Sequence, residues 1–548
     1  MLEKRVESVK LLEQLEEVGV VVGESSTLGF VFSVHSSLSE RVPRLEYVVA
    51  PLAKGYVLAQ VQGVAAYSSL LRKELDYEAL TRLTTRMVEE RKHWREARVL
   101  AYIEDLGGVS PGYKRVKYAV TPGTPVYLAP DSLLSNIYSG SGKRLRVGHL
   151  VTRPGVEIGL SASGLRRHLA IIAQTGAGKS YLAGVLMEEL LESGGTIIVL
   201  DPHADYVRLT IPNDSWPAEI ADRVSVYKTA TSMSRYTGVR NVRALSICFT
   251  DLDLKEIFYI GGIEERFTNI RYVIAQAYNE LMKERSGSFT ISDLQDRLHN
   301  LSQREDLDSS IRERAFRASL YVEKLEGLGV FGDRTTKISE MLAPKRLSVI
   351  DLSGLSDREA DLVAYKLLKG IFSEKTRPEG SGYRYPVFIF IEEAHRFVPP
   401  DSAGATWSSP LIKRIAAEGR KFGVFLILIS QRPSKLHPDV LSQCSSQIIM
   451  RITNPVDQRA VVEASERLGE ELLADLPGLD KGEAVVIGDV INFPAIISVR
   501  KRRSLEGGGD IDVDALLDEA TRYSEMEEED ARRRKGDWDE LRRGLAGE

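Results

Sequence analysis

A glycine-rich segment between an apolar run and a helical pattern is the clearest chemical feature of this sequence. Residues 168–181 read HLAIIAQTGAGKSY. Glycines in such a loop let backbone N–H groups close on phosphate oxygens, and the N-terminus of the following helix adds its positive end. We predict that Lys179 reaches the β- and γ-phosphates of a nucleotide and that Ser180 ligates Mg²⁺. The predicted phosphate-binding residues are Thr175, Gly176, Ala177, Gly178, Lys179, Ser180 and Tyr181.

The strict form of this motif begins with glycine, where this chain has Ala173. Because alanine is small, we expect the loop to form with a slightly different backbone angle at its entry. A strand before the loop and a helix after it favour a nucleotide site over a chance glycine-rich turn.

A second acidic motif ends another apolar run. Residues 387–397 read VFIFIEEAHRF, and the carboxyl end of a parallel strand borders the crevice where ligands bind in α/β sheets. Mg²⁺ needs one carboxylate, directly or through water, and the attacking water needs a second carboxylate to polarise it. We therefore assign Glu392 to the metal and Glu393 to the water.

Three further polar residues are candidates for the same site. Asp201 ends an apolar run and either serves the site, by binding Mg²⁺ indirectly or positioning water, or forms a turn with Pro202; the residues alone leave both interpretations open. Gln431 follows another apolar run and is placed to sense a γ-phosphate. Arg420 lies at the far end of a helix, so it either forms a surface salt bridge or reaches a neighbouring subunit's nucleotide in a head-to-tail ring.

The elements that must position these residues follow an α/β pattern. Continuous apolar runs, which fit buried parallel strands, alternate with helical patterns. The predicted strands are 168–173, 196–201, 346–352, 386–391, 423–430 and 446–452. Residues 252–330 are charged and have a helical period, which predicts a helical insertion. Residues 483–500 predict a closing hairpin.

The pattern also divides the chain into four parts. Residues 1–20 predict a helical segment. Short β-rich runs with glycine and proline between them predict a small, mostly antiparallel barrel over residues 21–150, interrupted by a helical stretch at 68–95. Residues 151–500 form the predicted ATPase core, and residues 501–548 a linker with a C-terminal helix and a charged tail.

Composition excludes several classes of protein. The 548 residues include 73 Lys plus Arg and 78 Asp plus Glu, a net charge of −5, so any nucleic-acid contact must be local. Two cysteines exclude a disulfide scaffold and a cysteine-rich zinc fold. The apolar runs are too short to span a bilayer, and the N-terminus has no signal-peptide pattern. We therefore predict no membrane contact and a cytoplasmic, reducing location.

Together these motifs resemble the HerA family of hexameric DNA-translocating ATPases of archaea and bacteria. The resemblance covers nearly the whole chain and rests on the phrases RRHLAIIAQTGAGKS, TIIVLDPHADY, FIFIEEAHRF and RIAAEGRKFGVFLILISQRP. The chain departs from the family at Ala173 and in PHADY, where PHGEY is commoner; neither departure removes a group that the mechanism needs. The resemblance implies an α/β fold with a RecA/FtsK-like P-loop ATPase core and an N-terminal HAS-barrel-like domain.

The resemblance also implies partners and residue roles. It implies a homohexamer that uses ATP and Mg²⁺ to translocate double-stranded DNA, with a NurA-type nuclease docked on the barrel face for end resection in double-strand break repair. Lys179 would bind phosphate, Glu393 would be the catalytic carboxylate and Arg420 would act across the subunit interface. The assisting residues would be Asp201, Arg167 and Gln431. The resemblance leaves open whether Arg167 acts in its own subunit or across the interface.

Three other functions are compatible with parts of this pattern. A helicase that excludes one strand would need stacking aromatic residues, and the 7% of aromatic residues form no clustered stripe. A protein-remodelling ring would share every nucleotide residue and would differ in its stimulation by unfolded protein. A non-enzymatic DNA clamp would not need the set of Lys179, Ser180, Glu392 and Glu393.

Overall fold

The computed structural model shows an N-terminal barrel followed by a large mixed sheet that is flanked by helices. The structure describes residues 15–67, 92–104, 106, 114–140, 142–233, 236–285, 288–378, 380–404, 406–465, 470–507, 513–514 and 516–527. Both parts confirm the architecture expected from the sequence, an α/β core with an N-terminal β-barrel.

Six antiparallel strands close into the barrel in the order β1-β2-β5-β4-β3-β6. Burial alternates along β2, where Phe30, Phe32 and Val34 point into the barrel core. The strands are β1 (Glu17–Ser25), β2 (Gly29–Val34), β3 (Tyr47–Leu52), β4 (Gly55–Tyr67), β5 (Lys92–Ile103) and β6 (Pro125–Leu128).

Three predictions for this part of the chain are wrong where the structure describes it. Residues 17–20, expected to be helical, lie in β1, which pairs with the distant β6, and residues 92–95 begin β5, because pairing with other strands overrides local helical periodicity. Residues 1–14 and 68–91 of these two stretches lie outside the described residues. Residues 144–150, assigned to the barrel domain, form a strand of the large sheet.

The large sheet has twelve strands in the order β12-β11-β13-β10-β14-β15-β9-β16-β17-β18-β7-β8. The first eight in this order are parallel, and the last four pair antiparallel. Each of the six predicted strands is present, with ends that differ by up to three residues. The strands are β7 (Arg144–Leu150), β8 (Glu157–Ser161), β9 (Leu169–Ile172), β10 (Thr196–Asp201), β11 (Val224–Lys228), β12 (Val242–Ala244), β13 (Arg346–Asp351), β14 (Val387–Ile391), β15 (Val424–Ser430), β16 (Ser446–Ile449), β17 (Glu483–Ile487) and β18 (Ala495–Val499).

Helices connect these strands, and four of them, α4 to α7, form the predicted helical insertion. Two of the four begin with reciprocal capping boxes, Asp253 with Glu256 and Thr290 with Asp293. The helices are α1 (Asp131–Ser139), α2 (Lys179–Glu192), α3 (Ala218–Ala221), α4 (Leu254–Ile260), α5 (Thr268–Glu284), α6 (Ile291–Gln303), α7 (Ser309–Glu326), α8 (Asp357–Thr376), α9 (Ser409–Phe422), α10 (Pro438–Gln443), α11 (Pro455–Glu463) and α12 (Glu470–Asp475).

Beyond the antiparallel hairpin of β17 and β18, the chain continues through residues 500–507, which we call the strap, and further on forms a helix. Residues 516–527 are helical and exposed. Within the described ranges, no helix combines the length and the apolar character that crossing a membrane requires.

The strap, residues 500–507, holds the back of α2 through a buried carboxylate. Glu188 is fully buried and accepts hydrogen bonds from Arg500 Nη2 at 2.9 Å and Arg503 Nε at 3.3 Å. It also accepts from the backbone N–H groups of Arg503, at 2.9 Å, and Ser504, at 2.8 Å. We call these hydrogen bonds to Glu188 the clamp. Because α2 begins at the end of the glycine-rich loop, the clamp holds in place the helix that follows this loop.

We predict that Glu188→Ala lowers the free energy of unfolding by about 3 kcal/mol, because the backbone N–H groups of Arg503 and Ser504 lose a buried acceptor and the half-buried guanidinium groups of Arg500 and Arg503 lose one of their carboxylate partners. The matched control is Glu192→Ala on the same helix, where a half-exposed carboxylate is paired with Arg503. We expect the control to cost under about 1 kcal/mol. Denaturant unfolding of the three proteins measures this difference, and equal losses in both variants would contradict the clamp.

Candidate nucleotide-binding site

The loop after β9 has the backbone conformation that closes amides around phosphate. Gly176 has a φ of 79° and Gly178 a φ of 106°, a region that favours glycine, and α2 begins directly afterwards at Lys179. The N-terminus of α2 therefore faces the loop with its free N–H groups. This arrangement is the one that the sequence predicts for residues 175–180.

Ala173 does not need the conformational freedom of glycine. It is fully buried, it is not among the described residues with positive φ, and its N–H donates to the carbonyl of Ser430 at 3.3 Å. A methyl group is accommodated at this position without strain, so the departure from the strict motif leaves the loop intact.

Lys179 lies between the two glutamates that follow β14. Its Nζ contacts the Glu392 carboxylate and is 3.4 Å from Glu393 Oε1. Burial disfavours the charged lysine, but the charges of Glu392 and Glu393 outweigh burial and raise the pKa of Lys179. The loop lysine and the second acidic motif, 213 residues apart in the chain, therefore form one charged cluster.

Glu392 is enclosed by its partners. It is fully buried, and the Tyr206 hydroxyl donates to its Oε2 at 2.7 Å while Lys179 contacts its Oε1. Burial raises the pKa of Glu392, and the lysine and tyrosine oppose this shift. The sequence assigns Glu392 to the metal, but in this structure neither of its oxygens contacts Ser180.

The carboxylate that contacts Ser180 is Asp205, a residue that the sequence analysis did not single out. Asp205 Oδ2 accepts a hydrogen bond from Ser180 Oγ at 2.8 Å. Its signal in the sequence is an acidic residue in the loop after a buried strand, within the phrase PHADY. Only the fold of that loop brings it back to α2.

Asp201, the last residue of β10, fixes the conformation of the loop that carries Asp205. Its carboxylate is fully buried and accepts from the backbone N–H groups of Asp205, at 3.1 Å, and Tyr206, at 3.0 Å. Burial raises the pKa of Asp201 well above its usual range, and the nearby charge of Asp205 acts in the same direction. Of the two interpretations, the geometry favours a turn residue that places Asp205 and Tyr206.

Ser180 and Asp205 fit Mg²⁺ carried by a nucleotide. A hydroxyl and a carboxylate are hard oxygen ligands, and nucleotide-bound Mg²⁺ takes few protein ligands because phosphates and water supply the rest. Among the residues that the structure describes, no group of three or more His, Cys, Asp or Glu is placed to hold a metal by itself. The donor set is therefore that of a metal that arrives with its nucleotide.

Glu393 and Gln431 lie beside this cluster. Glu393 has left-handed backbone angles of φ 49° and ψ 46°, and its Oε2 is 3.2 Å from His395 Nδ1. Gln431 Oε1 accepts from Thr175 Oγ1 at 2.5 Å, which places it against the glycine-rich loop. The Tyr181 hydroxyl instead accepts from the N–H of Arg502 in the strap, so its side chain is directed away from the loop.

Arg167 and Arg420 lie at the opposite edge of the sheet. Arg167 precedes β9 and Arg420 precedes β15, whereas the glycine-rich loop and Gln431 follow the carboxyl ends of these paired strands. The seven residues of β15 span about 23 Å at the usual rise per residue, farther than an arginine side chain reaches. Neither arginine therefore reaches the glycine-rich loop of the same chain.

The two arginines line one surface cavity of about 510 Å³. Arg166 and Lys421 add positive charge to its wall, and Asp489 lies 3.3 Å from the Arg167 guanidinium. Arg420 is exposed there, and no ion pair to it is present within the described ranges, so the surface salt bridge is not formed. The cavity is a concentrated cationic surface suited to binding an anion.

Comparison with known proteins decides the family. A family model described as the central domain of helicase HerA matches residues 145–371. The DNA double-strand break repair helicase HerA of Pyrococcus furiosus is 30% identical over 544 residues, which cover 90% of this chain and 93% of that protein. The chain belongs to the HerA helicase family. The enzyme of the same description from Saccharolobus solfataricus is 31% identical over 386 residues, 69% of this chain and 72% of that protein.

Among solved structures, VirB4 of Thermoanaerobacter pseudethanolicus matches with a TM-score of 0.47 and 14% identity, over 66% of this chain and 97% of that one. The HerA resemblance seen in the sequence is thus confirmed by the relatives. This HerA-family chain is an ATP-hydrolysing P-loop enzyme.

We predict that Asp205→Ala lowers the Mg²⁺-dependent ATPase rate by about tenfold to 100-fold, because Ser180 loses the acceptor that orients it. The matched control is Asp214→Ala, an exposed carboxylate in the same region that leaves Ser180 untouched. Steady-state ATPase assays across a Mg²⁺ titration measure the effect, which should lessen at high Mg²⁺. A rate equal to that of the control at every Mg²⁺ concentration would exclude Asp205 from the site.

Proposed function

We propose that this chain is the motor subunit of a homohexameric ring that uses ATP to translocate double-stranded DNA, and that it acts with a nuclease in DNA end resection. The observation that carries the proposal is the position of Arg167 and Arg420 across the sheet from their own nucleotide loop. A head-to-tail contact places this edge of one subunit against the loop of the next, and such contacts close into rings.

In this proposal the charged cluster is the resting form of the site. ATP replaces the carboxylates as the partner of Lys179, so that the lysine holds the β- and γ-phosphates while the loop amides enclose them. Ser180 and Asp205 would hold Mg²⁺, which would supply positive charge to the same phosphates. Glu392 keeps the hydrogen bond that it accepts from the Tyr206 hydroxyl.

In the proposed hydrolysis step, the reacting groups are contributed by residues that follow or precede the strands of the sheet. Glu393 orients a water and accepts its proton as the water oxygen attacks the γ-phosphorus and the bond to ADP breaks. Arg420 and Arg167 of the neighbouring subunit stabilise the charge on the transferring phosphoryl group. Gln431, hydrogen-bonded to Thr175, senses whether the γ-phosphate is present.

The DNA part of the proposal is supported by the relatives, which are described as DNA double-strand break repair helicases. Contact with duplex backbone is electrostatic and therefore sensitive to salt. We propose that the barrel presents the docking face for a NurA-type nuclease; Leu28, Val64 and Tyr118 are exposed apolar side chains on its surface that such a partner would cover.

We predict that duplex DNA stimulates ATP hydrolysis by the wild-type chain more than single-stranded DNA or unfolded protein does. Glu393→Gln should retain ATP binding and assembly while turnover falls by about 100-fold or more. ATPase assays with each polymer, with Glu393→Gln as the blank, measure this. Stimulation by unfolded protein alone would favour the remodelling ring, and stimulation by single strands alone the strand-excluding helicase.

We predict that Arg420→Ala lowers the ATPase rate by about 10³-fold without weakening ATP binding to the same subunit, because the arginine serves the neighbouring site. Mixed assemblies separate the two sites: subunits with Arg420→Ala should regain turnover when paired with Glu393→Gln subunits, which still supply Arg420. ATPase rates over a series of mixing ratios measure this rescue. A strictly proportional loss with no rescue would place the arginine's action within its own subunit.

A further inference from the structure

His168 occupies a backbone conformation that a histidine rarely adopts. It lies between Arg167 and β9 with φ 61° and ψ 163°, a combination found almost entirely in glycine. Such strain persists only where the surrounding structure holds the residue in place, and it concentrates at functional positions. The contacts of the His168 side chain are therefore the interactions that hold this backbone conformation.

The imidazole uses both of its nitrogens to join two other elements. It is 2% exposed; Nε2 is 3.0 Å from the Ala416 carbonyl in α9, and Nδ1 accepts from the N–H of Leu426 in β15 at 2.9 Å. Because Nδ1 is an acceptor, the proton lies on Nε2 and the ring is neutral. Burial lowers the pKa of His168 to about 4, and the charge of Arg420 acts in the same direction.

These contacts connect the two arginines of the cationic cavity. Arg167 is the residue before His168, and Arg420 lies one helical turn after Ala416 on α9. The bond to Ala416 therefore fixes α9 relative to the start of β9, the strand whose other end carries the nucleotide loop. The bond to Leu426 fixes the same ring to β15.

We propose that His168 is a positioning residue: its Nε2 bond to α9 holds Arg420 in register with Arg167, so that both meet the neighbouring subunit's nucleotide together. This inference rests on the proposed role of the arginines across the interface. It extends that role by linking each subunit's own nucleotide loop, through β9, to the arginines that it presents to the next subunit.

Two amide variants separate the two bonds. The amide of Asn takes the place of Nδ1 and keeps the acceptor for Leu426, whereas the amide of Gln takes the place of Nε2 and keeps the donor to Ala416. We expect His168→Asn to lower kcat by about tenfold or more, with KM for ATP within about twofold, because Arg420 is displaced. We expect His168→Gln to retain kcat within about threefold.

Thermal stability should rank the same variants in the opposite order. Gln leaves the buried Leu426 N–H unpaired and tolerates positive φ less well than Asn, so its melting temperature should fall further. A purely structural role would make kcat follow the melting temperature in both variants, and that result would overturn the proposal.

A second measurement tests whether the effect of His168→Asn on kcat depends on the two arginines. In a chain lacking both arginine side chains (Arg167→Ala with Arg420→Ala), adding His168→Asn should change kcat by less than about twofold. If Arg420→Ala alone leaves kcat unchanged, the proposed interface arginine fails. If Arg420→Ala lowers kcat but His168→Asn does not, the interface arginine stands and only the positioning role of His168 fails.

Discussion

The buried contact of Lys179 with Glu392 and Glu393 is the constraint on which the nucleotide site depends. One lysine and two carboxylates in a nearly water-free position are costly to bury, and such clusters contribute little to stability. Their effect is to organise the site: Tyr206 satisfies the free oxygen of Glu392, and Asp201 holds the loop that carries both Tyr206 and Asp205. In the proposed mechanism, the phosphates of ATP replace these carboxylates as the partner of Lys179.

The same parallel sheet underlies the proposal that a site is completed by a neighbouring subunit. Its carboxyl edge carries the nucleotide loop, Glu393 and Gln431, and its amino edge carries Arg167, His168 and Arg420. In a parallel sheet, residues that follow the strands lie at one edge and residues that precede the strands lie at the other. The two sets are therefore about one strand length apart. In the proposed ring, a copy of the chain placed head to tail would bring the two edges together. The buried ring of His168 contacts both α9, which carries Arg420, and β15 of the sheet.

The sequence predicts well what depends on local pattern. The apolar runs of β10 and β14 are buried on both faces, so their ends, and the residues Asp201, Glu392 and Glu393, were foreseeable. It predicts poorly what depends on distant pairing: residues 17–20 and 92–95 have a helical pattern, yet they pair in the barrel with strands more than fifty residues away, β6 and β2 respectively. Asp205 and His168 were missed for a related reason. Their roles arise from a loop that folds back on α2 and from contacts to α9 and β15, which no local spacing encodes.

The most direct test of this account is a cryo-electron microscopy structure of Glu393→Gln assembled with ATP and Mg²⁺. The account predicts that Lys179 leaves Glu392 for the phosphates and that Ser180 and Asp205 lie at the metal. It also predicts that Arg420 and Arg167 of the adjacent subunit approach the γ-phosphate within hydrogen-bonding distance. A structure in which ATP is bound while both arginines remain remote from every nucleotide would contradict it.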